Sequence, residues 1–232
     1  MTVSIWFIGF VFDTAISKLE TIKNQIAEQE IRAGQKKGSV KLIAVSKTKP
    51  MNQIEPVIEE GQSHFGENKV QEAALKWQEF KKKNKTIDLH LLGPLQSNKV
   101  KKVFGLFDYI HSLDRNSLAE KISDEAQKRG FCPKLFIQVN TGLEEQKAGI
   151  EPEKLNDFVK SIRKSLDLNI VGLMCIPPIN DAAETHFKFL KQLADENGLP
   201  ELSMGMSSDY IAAIKCGATY VRVGTAIFGL RQ

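Results

Sequence analysis

The stretch Val40-Lys41-Leu42-Ile43-Ala44-Val45-Ser46-Lys47-Thr48-Lys49-Pro50 decides the fold. Its first half is a short apolar run rich in β-branched residues, which reads as a buried strand. Its second half is a polar turn before a charged, helix-periodic segment, and that turn holds a lysine where a dinucleotide-binding first turn would hold glycines. A doubly wound open sheet is the alternative this turn argues against. With side chains alternating along the strand, Ile43, Val45 and Lys47 share one face, so the lysine closes the run above apolar residues.

The same unit repeats along the chain. Apolar runs follow at Ser63 to Gly66, Leu89 to Leu92, Phe107 to His111, Lys134 to Val139, Ile170 to Met174, Leu202 to Met204 and Tyr220 to Val223. Charged periodic segments separate them, at Met51 to Glu60, Lys69 to Lys83, Ser97 to Phe104, Ser117 to Arg129, Pro152 to Lys164, Ala182 to Glu196 and Asp209 to Lys215. Eight runs alternating with helices in 232 residues predict a parallel sheet closed into a single (β/α)8 TIM-type barrel, one domain over residues 1–232. An additional N-terminal helix from about Asp13 to Ala33 would pack where an eighth helix belongs.

Composition excludes several classes. With 42% hydrophobic and 26% charged residues the chain is an ordinary globular one. Lys+Arg 32 against Asp+Glu 28 leaves +4, carried mostly by lysine with no arginine-rich stripe, too little to point to nucleic acid. Cys132, Cys175 and Cys216 form no CxxC pair, so neither a disulfide framework nor a metal site is expected, and a reducing cytoplasm suits them. The apolar start Val3 to Phe12 lacks leading basic residues and a small-residue cleavage site, and falls short of the roughly 20 residues that span a bilayer. It reads as an atypical extension, residues 1–12, and no membrane partner is expected.

In a barrel the chemistry sits where strands end. Lys47 is there, and a lysine desolvated over an apolar floor is a nucleophilic amine. Arg222 alternates with Val221 and Val223, so it points into the mouth if they face helices. Gly224-Thr225 after the last run and Gly205 to Asp209 after the seventh stand where barrels often bind phosphate. A bland role is open for two of these: Lys47 as a solvated strand end, and Ser207 or Ser208 as a helix cap.

Six segments carry a resemblance. Ala44 to Pro50, Phe65-Gly66-Glu67-Asn68, His90 to Lys99, Gly172-Leu173-Met174, Ser203 to Ser207 and Val221 to Gly229 resemble the YggS/PROSC family of pyridoxal 5′-phosphate (PLP) homeostasis proteins. The resemblance implies a barrel like the N-terminal domain of alanine racemase, with the cofactor PLP held by Lys47 as an internal aldimine. It places Arg222 against the pyridine nitrogen, Ser207, Gly224 and Thr225 at the phosphate, and Asn68 and Met174 near the ring. Leu89 and Lys69 depart from aromatic residues common in the family, which puts an aromatic wall at the mouth in doubt. His64, His111 and His186 match no family site and are expected to be structural or surface residues.

The role this implies is a monomeric, cytoplasmic protein that stores, delivers or buffers PLP, with PLP-dependent apo-enzymes as partners, rather than an enzyme. A related racemase takes a tyrosine base from a second domain, whereas Tyr109, Tyr210 and Tyr220 fall in expected strands or a helix. The alternatives are an amino-acid racemase or other low-turnover PLP enzyme using Lys47 as one base and, more distantly, an RNA-binding or scaffold protein built on the lysines at 81–85 and 99–102. Lysine runs without interleaved aromatics are ordinarily solvated helix faces.

Overall fold

The computed structural model describes residues 4–229, with side chains from residue 15 onward. Eight parallel strands close into one barrel in sequence order: β1 (Lys41–Val45), β2 (His64–Glu67), β3 (Asp88–Leu91), β4 (Tyr109–Leu113), β5 (Lys134–Gln138), β6 (Ile170–Met174), β7 (Glu201–Ser203) and β8 (Tyr220–Val223). Closure is made by β1 on β8, with Ile43 opposite Arg222 and Ala44 opposite Val223. The helices that return the chain are α2 (Met51–Glu59), α3 (Val70–Lys83), α4 (Val100–Val103, entered through a 3-10 turn at Ser97–Lys99), α5 (Asn116–Arg129), α6 (Pro152–Ser165), α7 (Ala183–Glu196) and α8 (Tyr210–Lys215). A further short helix, α9 (Thr225–Phe228), follows β8. It lies where the sequence reads only as apolar chain.

Local chemistry accounts for these elements. Pro152 opens α6 in the first turn, where no backbone donor is lost, and Leu155, Phe158, Val159 and Ile162 form its buried stripe at helical spacing. Gly130 stops α5 in the left-handed conformation, with Lys128 and Arg129 at the negative end of the helix. The N-terminal helix α1 (Ser4–Arg32) begins earlier than Asp13, because Ser4 to Phe12 holds no proline and a lone Gly9 costs a helix only about 1 kcal/mol. It packs against α2, α8 and α9, in the place expected for an eighth helix. The side chains of the apolar extension, residues 1–12, lie outside the described residues. Among the described residues no helix is long and apolar enough to cross a membrane.

Two cores result. The larger lies between strands and helices and holds Leu42, Ala44, Leu89, Leu91, Val221 and Val223. The smaller fills the barrel with Ile43, Tyr109, Phe136, Met174 and Tyr220. Residues of alternate parity along β1 and β8 thus face opposite ways, and Arg222 is carried inward as its neighbours dictate.

Candidate functional site

Lys47 leaves β1 in a turn whose next residue, Thr48, adopts φ 64, a left-handed conformation costly for a β-branched side chain. Contacts from α3 hold the turn in that state. The Thr48 amide donates to Glu72 Oε1 at 2.5 Å, and Lys76 Nζ donates to the carbonyls of Ser46 at 2.9 Å and Lys49 at 3.2 Å. Lys76 also pairs with Glu67 at 2.8 Å and Glu72 at 3.0 Å. Glu67, fully buried at the end of β2, receives the Ser46 hydroxyl at 2.7 Å and the Trp77 indole N–H at 3.0 Å. The strand end is therefore tied to the following helix by a buried ion pair rather than by apolar packing alone.

Arg222 is 5% exposed and has the partners a buried guanidinium requires: Ser203 Oγ accepts from Nη1 at 2.8 Å and the Cys175 carbonyl from Nη2 at 2.9 Å. Burial draws the guanidinium below its ordinary value, with Cys175 and then Asp209 opposing that shift. Burial also pushes the Cys175 thiol up to about 12, so it stays neutral.

Ser207 does not cap α8. Asp209 is the residue at that boundary and its Oδ1 accepts the Met206 amide at 2.6 Å. The Ser207 hydroxyl oxygen instead accepts the Gly224 amide at 3.4 Å and the Thr225 hydroxyl at 3.1 Å, which joins the loops after β7 and β8. A Cβ on Gly224 would stand 3.2 Å from Val45 Cβ and the Val45 carbonyl, so the loop rides close on β1. Across the mouth, a Cβ on Gly93 would meet the Asn68 carbonyl at 2.2 Å, and only glycine lets the loop after β3 lie against Asn68.

Lys47, Asn68, Met174, Ser207, Arg222, Gly224 and Thr225 all line a single cavity of about 370 Å³ at the C-terminal end of the barrel. Val45, Leu92, Ile176, Met206 and Ser208 complete its wall. No aromatic residue is among them. Leu89 has no bearing on this wall, since it packs in the outer core, and Lys69 is exposed. A larger recess of about 690 Å³ lies outside the barrel among Lys81, Lys82, Lys85, Lys101 and Lys102, where Lys81 is already engaged by Asp108 and the Leu106 carbonyl.

Two of the histidines expected to be structural or surface residues are structural. His64 and His111 line up with His90 inside the barrel, whereas His186 pairs with Asp181 at 3.1 Å on α7. Lys76 carries no mark in the sequence, and Glu67 stands there only within the segment Phe65 to Asn68, with no role of its own. Tyr109 and Tyr220 stand at the opposite end of the barrel from the cavity, capped by Lys134 and Lys41 at 3.0 Å each, and burial with the Tyr109 hydrogen bond raises the Tyr220 phenol.

The family model for the alanine racemase N-terminal domain matches residues 18–232. A pyridoxal phosphate homeostasis protein of Pasteurella multocida is 40% identical over 229 residues, covering 94% of this chain and 98% of the relative. The chain belongs to this family. A second member, from Escherichia coli K12, is 36% identical over 223 residues, covering 92% and 95%. Among solved structures, PipY of Synechococcus elongatus PCC7942 with PLP bound superposes with a TM-score of 0.76 at 40% identity, over 88% of this chain and 100% of PipY. Alanine racemase of Clostridium difficile 630, at 15% identity and a TM-score of 0.71, covers 94% of this chain but 57% of the racemase and shares the fold of these homeostasis proteins.

Proposed function

We propose that this chain binds pyridoxal 5′-phosphate in the mouth of its single barrel domain and stores, delivers or buffers it. The observation that carries this reading is the convergence of an amine, a buried guanidinium and a hydroxyl-lined loop pair on one cavity of about 370 Å³ with apolar walls. The donor set fits the group. Val45, Leu92 and Met174 suit the faces of a flat ring, Lys47 suits an aldehyde, and Ser207, Gly224 and Thr225 suit a phosphate. When bound, PLP supplies a reactive aldehyde that condenses reversibly with amines.

Arg222 presents only donors, so a ring nitrogen facing it is held unprotonated, which weakens the ring as an electron sink. Acid and base groups at Cα are the other requirement of a racemase. Of the described tyrosines, two lie at the far end of the barrel and Tyr210 bonds Gln25 beside α1, so the reading favours a carrier over an enzyme of high turnover. A monomer in the cytoplasm that hands PLP to PLP-dependent apo-enzymes completes the reading, and three unpaired thiols, Cys132, Cys175 and Cys216, accord with that compartment.

The test is to load the purified chain with PLP and remove free cofactor. It is then mixed with a PLP-requiring apo-enzyme, and both reactivation of that enzyme and racemisation of added amino acids are followed. Loading and reactivation with negligible racemisation are expected. Failure to load, or racemisation at an enzyme's ordinary rate of about 1 per second or more, overturns the reading.

A further inference from the structure

Below the cavity the barrel interior holds a row of imidazoles. His64 Nδ1 on β2 lies 3.0 Å from His90 Nε2 on β3, and His90 Nδ1 lies 2.9 Å from His111 Nε2 on β4. His111 Nδ1 lies 2.9 Å from Ser203 Oγ, the same oxygen that receives Arg222 Nη1 at 2.8 Å. His90, His111 and Ser203 are all fully buried. Ring planes are held by stacking, His90 on Tyr109 with centroids 4.2 Å apart and His111 on Phe136 at 4.3 Å.

The direction of these bonds follows from the upper end. A guanidinium has donors only, so Ser203 Oγ accepts there. If His111 also donated to that oxygen, the serine hydrogen would be a buried donor with no acceptor among its described partners, a loss typically of 1–3 kcal/mol. The arrangement that gives every fully buried group from Arg222 to His90 a partner has Ser203 donating to His111 Nδ1. His111 then donates from Nε2 to His90 Nδ1, and His90 from Nε2 to His64 Nδ1. Each ring is neutral with its hydrogen on Nε2.

We infer that His111, acting through Ser203, is a positioning residue for Arg222, and that His64, His90 and His111 form a one-way neutral chain that fixes the guanidinium at the cavity floor. Burial holds both His90 and His111 well below the ordinary imidazole value, in keeping with neutral rings. At the lower end His64 faces Asp88 from β3 at 3.5 Å, Lys41 from β1, Lys134 from β5 and Asp108 ahead of β4, with the rings of Tyr109 and Tyr220 beside it. A proton on His64 Nδ1 would pair with Asp88 but would confront the His90 N–H. A charged His64 and an intact chain therefore exclude one another. The chain's direction is independent of the PLP reading; only its effect on a bound ring rests on it.

The experiment is nitrogen NMR on the full chain labelled at histidine, without added ligand, between about pH 6 and 8, where an unperturbed imidazole titrates. His186→Gln assigns the one remaining histidine. The expected result is that His64, His90 and His111 all carry hydrogen on Nε2 and that His90 and His111 do not titrate. In Ser203→Ala the upper donor is gone, so the tautomer population of His90 should shift as well as that of His111, while Ser203→Thr restores the wild-type pattern. Packing alone would leave His90 unmoved. Hydrogen on Nδ1 of His90 or His111 in the wild type, titration of either ring above pH 6, or an unmoved His90 in a folded Ser203→Ala variant overturns the inference. The wild-type spectrum decides even if the variant does not fold. A chain that shows the expected tautomers but cannot be loaded with PLP overturns the site reading and leaves the histidine chain standing.

Discussion

Lys76→Met should be among the more damaging single changes outside the cavity. The Lys76 side chain is 13% exposed, and its ammonium sits 2.8 Å from Glu67, whose side chain is fully buried, while holding the Ser46 and Lys49 carbonyls on either side of Lys47. Removing one member of a buried pair typically costs 3–5 kcal/mol, because the other charge is stranded. Glu67 keeps the Ser46 hydroxyl and the Trp77 indole, so the low end, about 3 kcal/mol, is expected here. In a chain of this size that lowers Tm by about 6–12 °C. Thermal melts followed by circular dichroism measure it. Adding Glu67→Gln should recover part of the loss, since the amide oxygen still accepts from Ser46 and Trp77 without a charge while the amide nitrogen takes the place of Oε2, which has no partner. A drop below about 2 °C, or double-variant losses that simply add, would refute a structural role for the buried pair.

Gly224→Val should weaken PLP more than Ser207→Ala does, because the new side chain meets Val45 at 3.2 Å while the serine change removes one hydroxyl. Losing a hydrogen bond to a charged phosphate costs about 1.5–3 kcal/mol, roughly ten- to hundredfold in Kd by absorbance titration, and equal affinities in all three proteins would misplace the phosphate. Arg222→Glu, provided PLP occupancy is retained, should exchange the α-hydrogen of a bound amino acid with deuterated water faster than wild type, as followed by proton NMR; unchanged exchange would deny Arg222 control of the ring nitrogen. Stability should also fall with acid. His90 and His111 have folded values below the unfolded one, so unfolded chains take up protons near pH 6.5 that the folded barrel refuses, and stability present above that pH is lost below it. Two such groups give about 3 kcal/mol between pH 7.5 and 5.5, read from urea midpoints; a flat profile would contradict neutral burial.

The barrel was legible because each strand is a short apolar run whose alternation survives burial, and because the turn at Ser46 to Pro50 speaks against an open sheet. Boundaries moved where side chains compete with the pattern. The fourth run reads as Phe107 to His111, whereas β4 spans Tyr109–Leu113: the polar Ser112 breaks the apolar run before the strand ends, and Asp108, although its backbone still bonds β3 and β5, turns its carboxylate to the Leu89 amide and Lys81. Helix α9 has four residues, fewer than any periodicity can register.

In the cavity, parity along β1 and β8 sufficed to bring Lys47 and Arg222 together. Ser207 was ambiguous because a serine before a helix has the same local signature whether it caps or turns to a neighbouring loop, and here Asp209 takes the capping position. The histidine row was hidden for a different reason. His64, His90 and His111 lie 26 and 21 residues apart on separate strands, and only barrel closure and strand stagger set them nose to tail. Glu67 and Lys76 are likewise ordinary charges in sequence, and only the tertiary fold makes their pair buried.

The central claim is that Lys47 is the amine of a PLP site at the barrel mouth. It is tested most directly by reducing the PLP-loaded chain with borohydride and mapping the modified peptide by mass spectrometry. The account expects the pyridoxyl group on Lys47, with Lys49, two residues on and ahead of Pro50, unmodified, and loss of the visible band in Lys47→Ala. A modification found mainly on Lys49 or elsewhere, or a Lys47→Ala protein that keeps the band, would contradict it.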